Sequence, residues 1–429
     1  MTNLRAAAWQ ILDRCEAAGQ YSNLALDAAI RRGDFSSADR GLLTAIVYGT
    51  LERRLTLDHW IGALAARGED SIEPSTRNLL RMGLYQLAYL DRVPDHAAVN
   101  ETVALAPKKT RGFVNAILRA FLRAGKQIAA PRAETDPIAY LSVTYSFAPA
   151  LCRVFCDTYG FSRTESLLAA FGKQPPLSLR VNTRRITREA LCARLCADGY
   201  KARLTENSRS GILVEGSAPV TSLYGFAEGL FFVQDEASQL CVEALDAHEG
   251  MRVLDACACP GSKTFGIAIE MNDVGSITAC DLQKSKLSLI ASGAERLGLS
   301  IIQTEARDAR DERAAWVGAF DRVLCDVPCS GFGVFAKKPE LRYKDPTVSE
   351  SLPAIQQAIL ARSFDLLREG GRLVYSTCTL LPRENGENVA RFLATHPDCT
   401  LLWERTLFPD TDGTDGFYVA VLQKKTEKN

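Results

Sequence analysis

The sequence predicts a multidomain protein with an all-α N-terminal bundle, a small α+β middle module and an α/β C-terminal domain. Three patterns predict this architecture: apolar residues at helical spacing up to about residue 124, mixed helical and strand patterns after a proline-bounded stretch, and alternating strand and helix patterns from Gly250 onward. Because 429 residues exceed what one hydrophobic core usually organises, we expect domains at 1–130, 131–230 and 231–429.

The N-terminal bundle is indicated by apolar residues that return every three or four positions. The series includes Leu4, Ala8, Ile11, Leu12 and Cys15, then Leu80, Leu84 and Leu87, and finally Val114, Ile117, Leu118, Phe121 and Leu122. Glycine or proline interrupts it at Gly33, Gly68, Pro74, Pro94 and Pro107. Because these residues favour turns and helix ends, we expect loops there.

The middle module follows a stretch from Pro131 to Pro137 that is typical of a linker. Strand patterns at 177–182 and 211–215 lie on either side of a helical pattern at 189–198. This combination predicts a small α+β module.

The C-terminal domain has its clearest strand patterns at 251–254, 276–280, 320–325 and 371–375, separated by helical patterns. The alternation predicts a Rossmann-like, mostly parallel sheet covered by helices. Ligands of such sheets bind beyond the carboxyl ends of the strands, so the residues that follow each strand are candidates for a site.

Composition and charge limit the class of protein. A hydrophobic fraction of 47% with 24% charged residues is typical of a globular chain. No apolar run reaches the length of a membrane span and no signal peptide is apparent, so we expect a cytoplasmic protein without membrane contact.

The thirteen cysteines lack the spacing of a zinc site, so we expect mostly free thiols and no metal. Residues 1–230 contain 29 Lys and Arg against 22 Asp and Glu, which is compatible with a nucleic-acid partner.

The first C-terminal strand leads into Asp-Ala-Cys-Ala-Cys-Pro-Gly-Ser-Lys-Thr, from Asp255 to Thr264. A strand, a tight Pro-Gly turn at Gly261 and a helix that begins near Ser262 form a loop that can bind a ligand. The loop matches neither the dinucleotide glycine pattern nor a P-loop, so phosphate binding is not indicated. An ordinary connection between a strand and a helix is the alternative.

Acidic residues follow the next strands as well, at Asp281, Asp308 and Asp326. Asp281 lies 20 residues beyond Gly261, an offset at which a carboxylate can hold ribose hydroxyls. Each Asp taken singly is better explained as a helix N-cap. Together with Asp255 they favour a nucleoside cofactor. A site that has a carboxylate for the ribose hydroxyls but no phosphate-binding loop fits S-adenosylmethionine better than NAD.

Two cysteines follow the last strands, Cys329 in Asp-Val-Pro-Cys-Ser-Gly-Phe-Gly and Cys378 in Tyr-Ser-Thr-Cys-Thr. If these strands are neighbours, their ends are ~5 Å apart and the two thiols share one pocket. A single cysteine in an apolar strand is usually structural. A pair at adjacent strand ends suits cytosine methylation at carbon 5, since a thiolate that adds to carbon 6 makes carbon 5 nucleophilic.

These motifs together resemble the RsmB/Sun type of bacterial 16S rRNA cytosine-C5 methyltransferases, the RsmB/NOP class. The resemblance spans nearly the whole chain. It includes the loop from Asp255, the proline-cysteine and threonine-cysteine motifs, Lys-Lys-Pro-Glu at 337–340, Leu-Pro-Arg-Glu-Asn at 381–385 and Asp-Gly-Phe at 415–417. Cys259 and Ser262 stand where the family usually has Ala and Gly, and Phe332 replaces a small residue.

The resemblance implies S-adenosylmethionine as cofactor and a role for each site residue. It implies that the cofactor contacts Cys257, Ala258, Cys259, Pro260, Gly261, Ser262, Lys263, Asp281, Asp308 and Asp326. Asp326 would also act as the acid at N3 of the target cytosine. Cys378 would be the nucleophile, and Cys329 would assist release of the product.

The N-terminal segment resembles the NusB RNA-binding fold, with Arg-Gly-Phe-Val-Asn-Ala-Ile-Leu-Arg at 111–119, and the middle module resembles the family's RNA-guiding insert. Lys108, Lys109 and Arg111 form the best basic cluster for phosphate contacts, although Arg111 and Arg119 are explained equally well as solvated surface charges. The resemblance implies 16S rRNA as the partner and a target like that of the enzymes that act on its cytosine 967. We expect the protein to be a monomer.

Two alternatives stay open. The same thiol chemistry would serve a tRNA or another rRNA. A non-catalytic RNA-binding factor is the other, although such a protein needs neither Cys329 nor Cys378. A DNA methyltransferase fits less well, because those enzymes take their nucleophile from the proline-cysteine motif and lack a threonine-cysteine partner.

Overall fold

The computed structural model describes residues 3–18, 20, 22–66, 68, 71–216 and 219–426. The chain divides into two compact units. Unit 1 consists of Met1–Lys173 and Phe335–Pro346, and unit 2 consists of Gln174–Val334 and Thr347–Asn429.

Unit 1 is helical, as the spacing of apolar residues predicts. Its helices are α1 (Leu4–Ala18), α2 (Ser22–Arg32), α3 (Ser37–Glu52), α4 (Arg54–Leu64), α5 (Pro74–Tyr89), α6 (Asp95–Leu105), α7 (Lys108–Arg123), α8 (Pro137–Tyr145), α9 (Pro149–Tyr159) and α10 (Phe161–Phe171). Proline is the first residue of α5, α8 and α9, where its missing N–H costs nothing in the first turn. Pro74 is the first residue of α5, and the Glu73 carboxylate caps that helix by accepting the Thr76 N–H.

A buried ion pair lies among the apolar side chains of α1 to α7. Arg81 on α5 is 2% exposed and donates to Asp58 on α4 through two nitrogens, at 2.6 and 2.7 Å. Such a bidentate pair restricts the orientation of the two helices, because the planar guanidinium matches the carboxylate in one geometry.

The segment Phe335–Pro346 packs within unit 1, although it follows the proline-cysteine motif directly in sequence. Phe335 meets the ring of Phe171 edge to face at 4.9 Å. Arg342 is 1% exposed and donates to the carbonyl oxygens of Glu52 and Phe171 at 3.2 and 2.7 Å. The Lys-Lys-Pro-Glu motif at 337–340 therefore belongs to a segment that is fixed by helices of unit 1.

Unit 2 contains two sheets. Its strands are β1 (Leu177–Val181), β2 (Ala202–Leu204), β3 (Gly211–Val214), β4 (Phe231–Val233), β5 (Arg252–Asp255), β6 (Ser276–Asp281), β7 (Ile302–Ala306), β8 (Phe320–Asp326), β9 (Leu367–Thr377), β10 (Cys399–Leu407) and β11 (Phe417–Lys424). Its α-helices are α11 (Arg188–Ala197), α12 (Glu236–Leu245), α13 (Ser262–Glu270), α14 (Leu287–Leu297), α15 (Leu352–Leu366) and α16 (Gly386–Thr395).

The smaller sheet is antiparallel, in the order β2-β3-β1-β4. Arg180 of β1 is fully buried and pairs with Glu270 at the end of α13 at 2.7 Å. A Cβ at Gly266 of α13 would lie 3.0 Å from the Arg180 guanidinium, so the glycine makes room for it. This contact fixes α13, the helix that follows the candidate cofactor loop.

The larger sheet has the order β10-β11-β9-β8-β5-β6-β7. The strands from β9 to β7 are parallel, and β11 and β10 are antiparallel additions at one edge. Apolar residues of β5, β6, β8 and β9 form the centre of this domain, including Val253, Ile277, Val323 and Leu373. The carboxyl ends of four neighbouring strands therefore meet at one edge.

The predicted fold class is confirmed: a helical bundle, a small α+β module and a Rossmann-like α/β domain. The predicted boundaries at 130 and 230 stay predictions. The helices α8 to α10 and the antiparallel pair β10 and β11 were not predicted from the sequence.

In the described part of the chain no single helix is long and apolar enough to cross a membrane. The pair Pro137–Tyr145 and Pro149–Tyr159 reaches that length and composition only together, across a bend of 116°.

Candidate active site

The site lies at the carboxyl ends of β5, β6, β8 and β9. The parallel register aligns Asp255 with Leu324 and Asp326 with Ser376, so the ends of β5, β8 and β9 lie level with one another. Asp281 is the last residue of β6, the other neighbour of β5. The predicted acids are thus brought to one edge by strand pairing alone.

The loop after β5 packs closely against β6 and the first turn of α13. Ala258 donates its N–H to the Cys280 carbonyl oxygen at 2.7 Å, and a cis peptide bond joins Cys259 to Pro260. Gly261 has a φ of +110°, and a Cβ there would lie 2.8 Å from the Phe265 ring. A side chain at 261 would both strain the backbone and displace that ring.

Helix α13 begins at Ser262, as the sequence predicts. In its first turn, Thr264 donates its hydroxyl to Oδ2 of Asp255 at 2.7 Å. The other oxygen, Oδ1, is buried and has no hydrogen-bond partner among the described residues. Burial raises the pKa of Asp255 from 3.8 to about 7, although the Thr264 hydrogen bond opposes the shift.

Asp281 organises the loop from the neighbouring strand. Its two oxygens accept backbone N–H groups from Cys259 at 3.2 Å and Gln283 at 2.9 Å. Each carboxylate oxygen can accept a second hydrogen bond, so Asp281 can also hold a diol. The remaining acceptor capacity of Asp281, the close glycine turn and Oδ1 of Asp255 are compatible with a nucleoside cofactor that supplies its own hydrogen-bond donors.

The loop cysteines are not activated. Burial raises the pKa of Cys257 well above its usual range, and the charge of Asp281 adds to burial in raising the pKa of Cys259 to about 12. A thiol with a raised pKa is a poor nucleophile, because little of it is thiolate at neutral pH. These two cysteines therefore suit packing rather than attack.

Asp308 follows β7 at the edge of the site. Arg310 donates to both of its carboxylate oxygens, with the shortest contact 2.6 Å. The Arg310 hydrogen bonds lower the pKa of Asp308 to about 2. This carboxylate is ionised throughout the physiological range.

Asp326 ends β8 and is held from two sides. Lys263 of α13 donates to Oδ2 at 2.6 Å, and the buried Ser376 hydroxyl of β9 donates to Oδ1 at 2.8 Å. Burial opposes the charge on Lys263, but the carboxylate of Asp326 outweighs it and the pKa of Lys263 is raised. The pair places a fixed cation and a fixed anion beside the end of β9.

The sulfur atoms of the two predicted cysteines are in contact. Cys329, three residues beyond β8, has its Sγ 3.2 Å from the Sγ of Cys378, which directly follows β9. The Cys378 N–H also points at the Cys329 sulfur, at 3.3 Å. Both residues are partly exposed, and none of the thirteen cysteines, all of which are described, forms a disulfide.

The loops that carry the cysteines are joined by backbone contacts. Gly333 and Thr379 form an isolated β-bridge, and the Gly416 N–H donates to the Gly333 carbonyl at 2.8 Å. A Cβ at Gly333 would lie 1.9 Å from the Gly416 oxygen and 2.9 Å from the Cys378 oxygen. Only glycine fits this crossing of three loops.

The sequence reasoning did not identify the side chains that support the cysteines. Ser376 holds Asp326, and the Ser330 hydroxyl donates to the Thr379 hydroxyl at 2.8 Å. Glu384 and Gln356, both fully buried, contact the backbone on either side of Cys329. Glu384 lies in the Leu-Pro-Arg-Glu-Asn stretch, whose only signal in the sequence is its family resemblance.

No group of three or more His, Cys, Asp or Glu that could hold a metal ion occurs within the described ranges.

Comparison with known proteins identifies the family. The model of the family "16S rRNA methyltransferase RsmB/F" matches residues 242–423, the NusB family matches 2–123, and the ferredoxin-like domain of RsmF/B-like methyltransferases matches 151–221.

Two curated relatives and one solved structure cover almost the entire chain. The probable ribosomal RNA small subunit methyltransferase B of Bacillus subtilis is 37% identical over 99% of this chain and 99% of its own. The ribosomal RNA small subunit methyltransferase B of Pseudomonas putida is 34% identical over 98% of both chains. The crystal structure of PH0851 superposes with a TM-score of 0.81 over 99% of both chains at 24% identity, which shows the shared fold.

The cofactor is S-adenosylmethionine, in agreement with a loop that matches no phosphate-binding pattern. The chain belongs to the RsmB/F family of 16S rRNA methyltransferases and is an S-adenosylmethionine-dependent RNA methyltransferase.

Proposed function

We propose that this protein methylates carbon 5 of a cytosine in 16S rRNA, as enzymes that act on cytosine 967 do, through a covalent adduct with Cys378. The observation that carries the proposal is the pair of sulfurs, Cys329 and Cys378, 3.2 Å apart beside the Asp326–Lys263 ion pair. Methylation of a ring nitrogen or a ribose hydroxyl needs no thiol. Methylation of carbon 5 does, because that atom is a poor nucleophile until a group adds at carbon 6.

The chain's own residues account for each bond change. The Cys378 thiolate forms a bond to carbon 6, which moves ring electrons toward carbon 5 and N3. Asp326, held by Lys263 and Ser376, faces N3 and shares a proton with it. The bound cofactor supplies an electrophilic methyl group. Carbon 5 then loses its proton to a water molecule, and the electrons of that bond restore the double bond between carbons 5 and 6 as the Cys378 thiolate leaves. N3 returns its proton to Asp326, and the Cys329 thiol assists by donating a hydrogen bond to the departing sulfur.

The proposed cofactor contacts are the loop from Cys257 to Lys263, with Asp281 on the ribose hydroxyls and Asp308 and Asp326 at the rim. Support for Asp281 is strongest, since its oxygens already order the loop through Cys259 and keep acceptor capacity. Carboxylates near the cofactor also favour its sulfonium cation.

For the RNA, we propose that unit 1 makes the phosphate contacts through the start of α7. Lys108, Lys109 and Arg111 are all exposed there. Cationic side chains supply most of the non-specific affinity for a phosphate backbone. The target cytosine must leave its stack before a thiol can reach carbon 6, so we expect a loop or an extruded base.

Purified protein incubated with unmodified 16S rRNA and methyl-labelled cofactor tests the proposal. We expect one equivalent of label, recovered as 5-methylcytosine at a single position. Label in a different base would contradict the proposal. Transfer to tRNA but not to 16S rRNA would keep the chemistry and replace the substrate.

A further inference from the structure

Opposite charges act on the two sulfurs. The Lys263 ammonium interacts with Cys378, which contributes to the raised pKa of Lys263 after Asp326 and Cys241. Glu384, by contrast, interacts with Cys329. A cation favours the thiolate form of a neighbouring sulfur and an anion favours the thiol. The proposed function does not use this asymmetry.

Glu384 holds the backbone next to Cys329. Its Oε2 accepts the Ser330 N–H at 3.0 Å and the Gln356 side-chain amide at 2.9 Å. The same Gln356 amide donates to the Pro328 carbonyl at 3.0 Å. The residues on both sides of Cys329 are therefore fixed by one carboxylate and the amide that it orients.

Glu384 is itself fixed and fully buried. The Tyr375 hydroxyl donates to its carbonyl oxygen at 2.6 Å, and Asn388 donates to that hydroxyl at 3.0 Å. Its second carboxylate oxygen, Oε1, is buried without a hydrogen-bond partner among the described residues. A buried carboxylate whose one oxygen lacks a partner destabilises a fold, so its presence beside a reactive sulfur suggests a function.

We propose that Glu384 is a positioning residue that keeps Cys329 in the protonated, hydrogen-bond-donating form and so leaves Cys378 as the attacking sulfur. The geometry permits one continuous chain: the Cys378 N–H donates to the Cys329 sulfur at 3.3 Å, and the Cys329 thiol donates across 3.2 Å to the Cys378 sulfur. The inference rests on the proposed function for the identity of the attacked base, but the charge effect on the thiols does not.

The titratable groups around the pair agree with this assignment. Cys329 interacts with Cys378, Glu384 and Tyr375, while Cys378 interacts with Lys263, whose ammonium is paired with the Asp326 carboxylate. The hydrogen bond with Cys378, burial, and the charges of Cys378 and Glu384 raise the pKa of the Cys329 thiol, and together they outweigh the Gly331 backbone hydrogen bond, which lowers it.

The test is the alkylation rate of each thiol in the full-length protein, followed by peptide mass spectrometry between pH 7 and 10. Glu384→Gln keeps the shape and an acceptor for the Ser330 N–H but removes the charge. We expect Cys329 to be alkylated about tenfold faster at pH 8, the effect of lowering a thiol pKa by about one unit. Lys263→Met should change the rate at Cys378 in the opposite direction.

Glu236→Gln is the matched control. Glu236 is also a buried carboxylate, 5% exposed, and accepts the backbone N–H groups of Asn207 and Ser208 at 2.7 and 3.0 Å. Its substitution should leave both thiol rates unchanged. An unchanged Cys329 rate in Glu384→Gln, or an equal rise in Glu236→Gln, overturns the proposal.

Should Glu384→Gln fail to fold, Glu384→Asp is the second variant. It keeps the carboxylate but shortens the side chain by one methylene, which moves the charge away from Cys329. It should speed alkylation of Cys329 by a smaller factor, and no change there overturns the proposal as well. Because alkylation needs neither RNA nor methyl transfer, a protein that fails to methylate cytosine would contradict the proposed function while the thiol rates still test Glu384.

Discussion

The sulfur atoms of Cys329 and Cys378 lie 3.2 Å apart, although 49 positions separate the residues in sequence. Two negative charges at that distance repel strongly, so the pair carries at most one thiolate at neutral pH. A division of labour between the two sulfurs is therefore built into the geometry.

Single substitutions of the two cysteines should have different effects. Cys378→Ala should abolish methyl transfer, because it removes the proposed nucleophile that adds to carbon 6. Cys329→Ala should form the adduct but release it slowly, so that a protein–RNA complex that survives denaturation accumulates. Gel electrophoresis under denaturing conditions measures the complex, and accumulation in Cys378→Ala instead would exchange the two roles.

Removal of the Asp281 carboxylate should weaken cofactor binding. We expect Asp281→Ala to raise the Kd for S-adenosylmethionine about 10- to 100-fold, the effect of losing hydrogen bonds to a charged group. Calorimetric titration measures it. Asp273→Ala is the control, since Asp273 also accepts backbone N–H groups, from Ser300 at 2.8 Å and Ile301 at 3.2 Å. Equal loss of affinity in both variants would show that the effect is structural.

Bound cofactor should make Cys378 more reactive. The sulfonium cation favours the thiolate, so alkylation of Cys378 at pH 7 should become about three- to tenfold faster with S-adenosylmethionine. S-adenosylhomocysteine occupies the same site without the positive charge and should not accelerate the reaction. Rates that are independent of cofactor would contradict this reading of the site.

The buried Asp255 should make stability depend on pH. Its pKa in the folded protein is about 7, above the ordinary 3.8, because burial disfavours the charged form. The folded state therefore holds a proton that the unfolded state loses, and the free energy of unfolding should fall as pH rises from about 4 to about 7. Asp255→Asn should flatten this decline, measured as urea midpoints.

Asp308→Asn is the control for that measurement. The pKa of Asp308 is lowered to about 2, so its contribution is present above pH 4 and is lost only as pH falls toward 2. Asp308→Asn should therefore leave the slope between about pH 4 and 7 unchanged. A wild-type slope that survives in Asp255→Asn would refute the assignment to Asp255.

A methyl group at Gly333 should disrupt the crossing of the cysteine loops. Because the added Cβ would lie 1.9 Å from the Gly416 oxygen, Gly333→Ala should lower the free energy of unfolding by about 1–3 kcal/mol and reduce activity. Gly41→Ala meets no atom within 4 Å on helix α3 and should be neutral or slightly stabilising. Equal stability of the two variants would contradict the packing argument.

Much of the site follows from sequence because it depends on strand order. Once β8 and β9 are recognised as successive parallel strands, residues that follow them must lie close together, which brings Cys329 to Cys378. The same reasoning places Asp281 one strand from the loop at Gly261. The roles of the cysteines did not follow from spacing, because equal positions at two strand ends do not distinguish a nucleophile from its partner.

Other features depend on contacts between distant residues, which local patterns do not encode. Glu384 reaches Ser330 across 54 positions. Arg342 is buried among carbonyl groups of Glu52 and Phe171, although its segment continues directly from the cysteine motif. A charged side chain predicts exposure on average, so only the folded chain shows these burials.

Trapping of the covalent intermediate tests the central claim most directly. Substrate RNA that carries 5-fluorocytidine cannot lose a proton from carbon 5 after methyl transfer, so the bond between sulfur and carbon 6 should persist. We predict a cofactor-dependent protein–RNA complex whose digested peptide contains Cys378. The absence of any complex, or attachment through Cys329, would contradict the account.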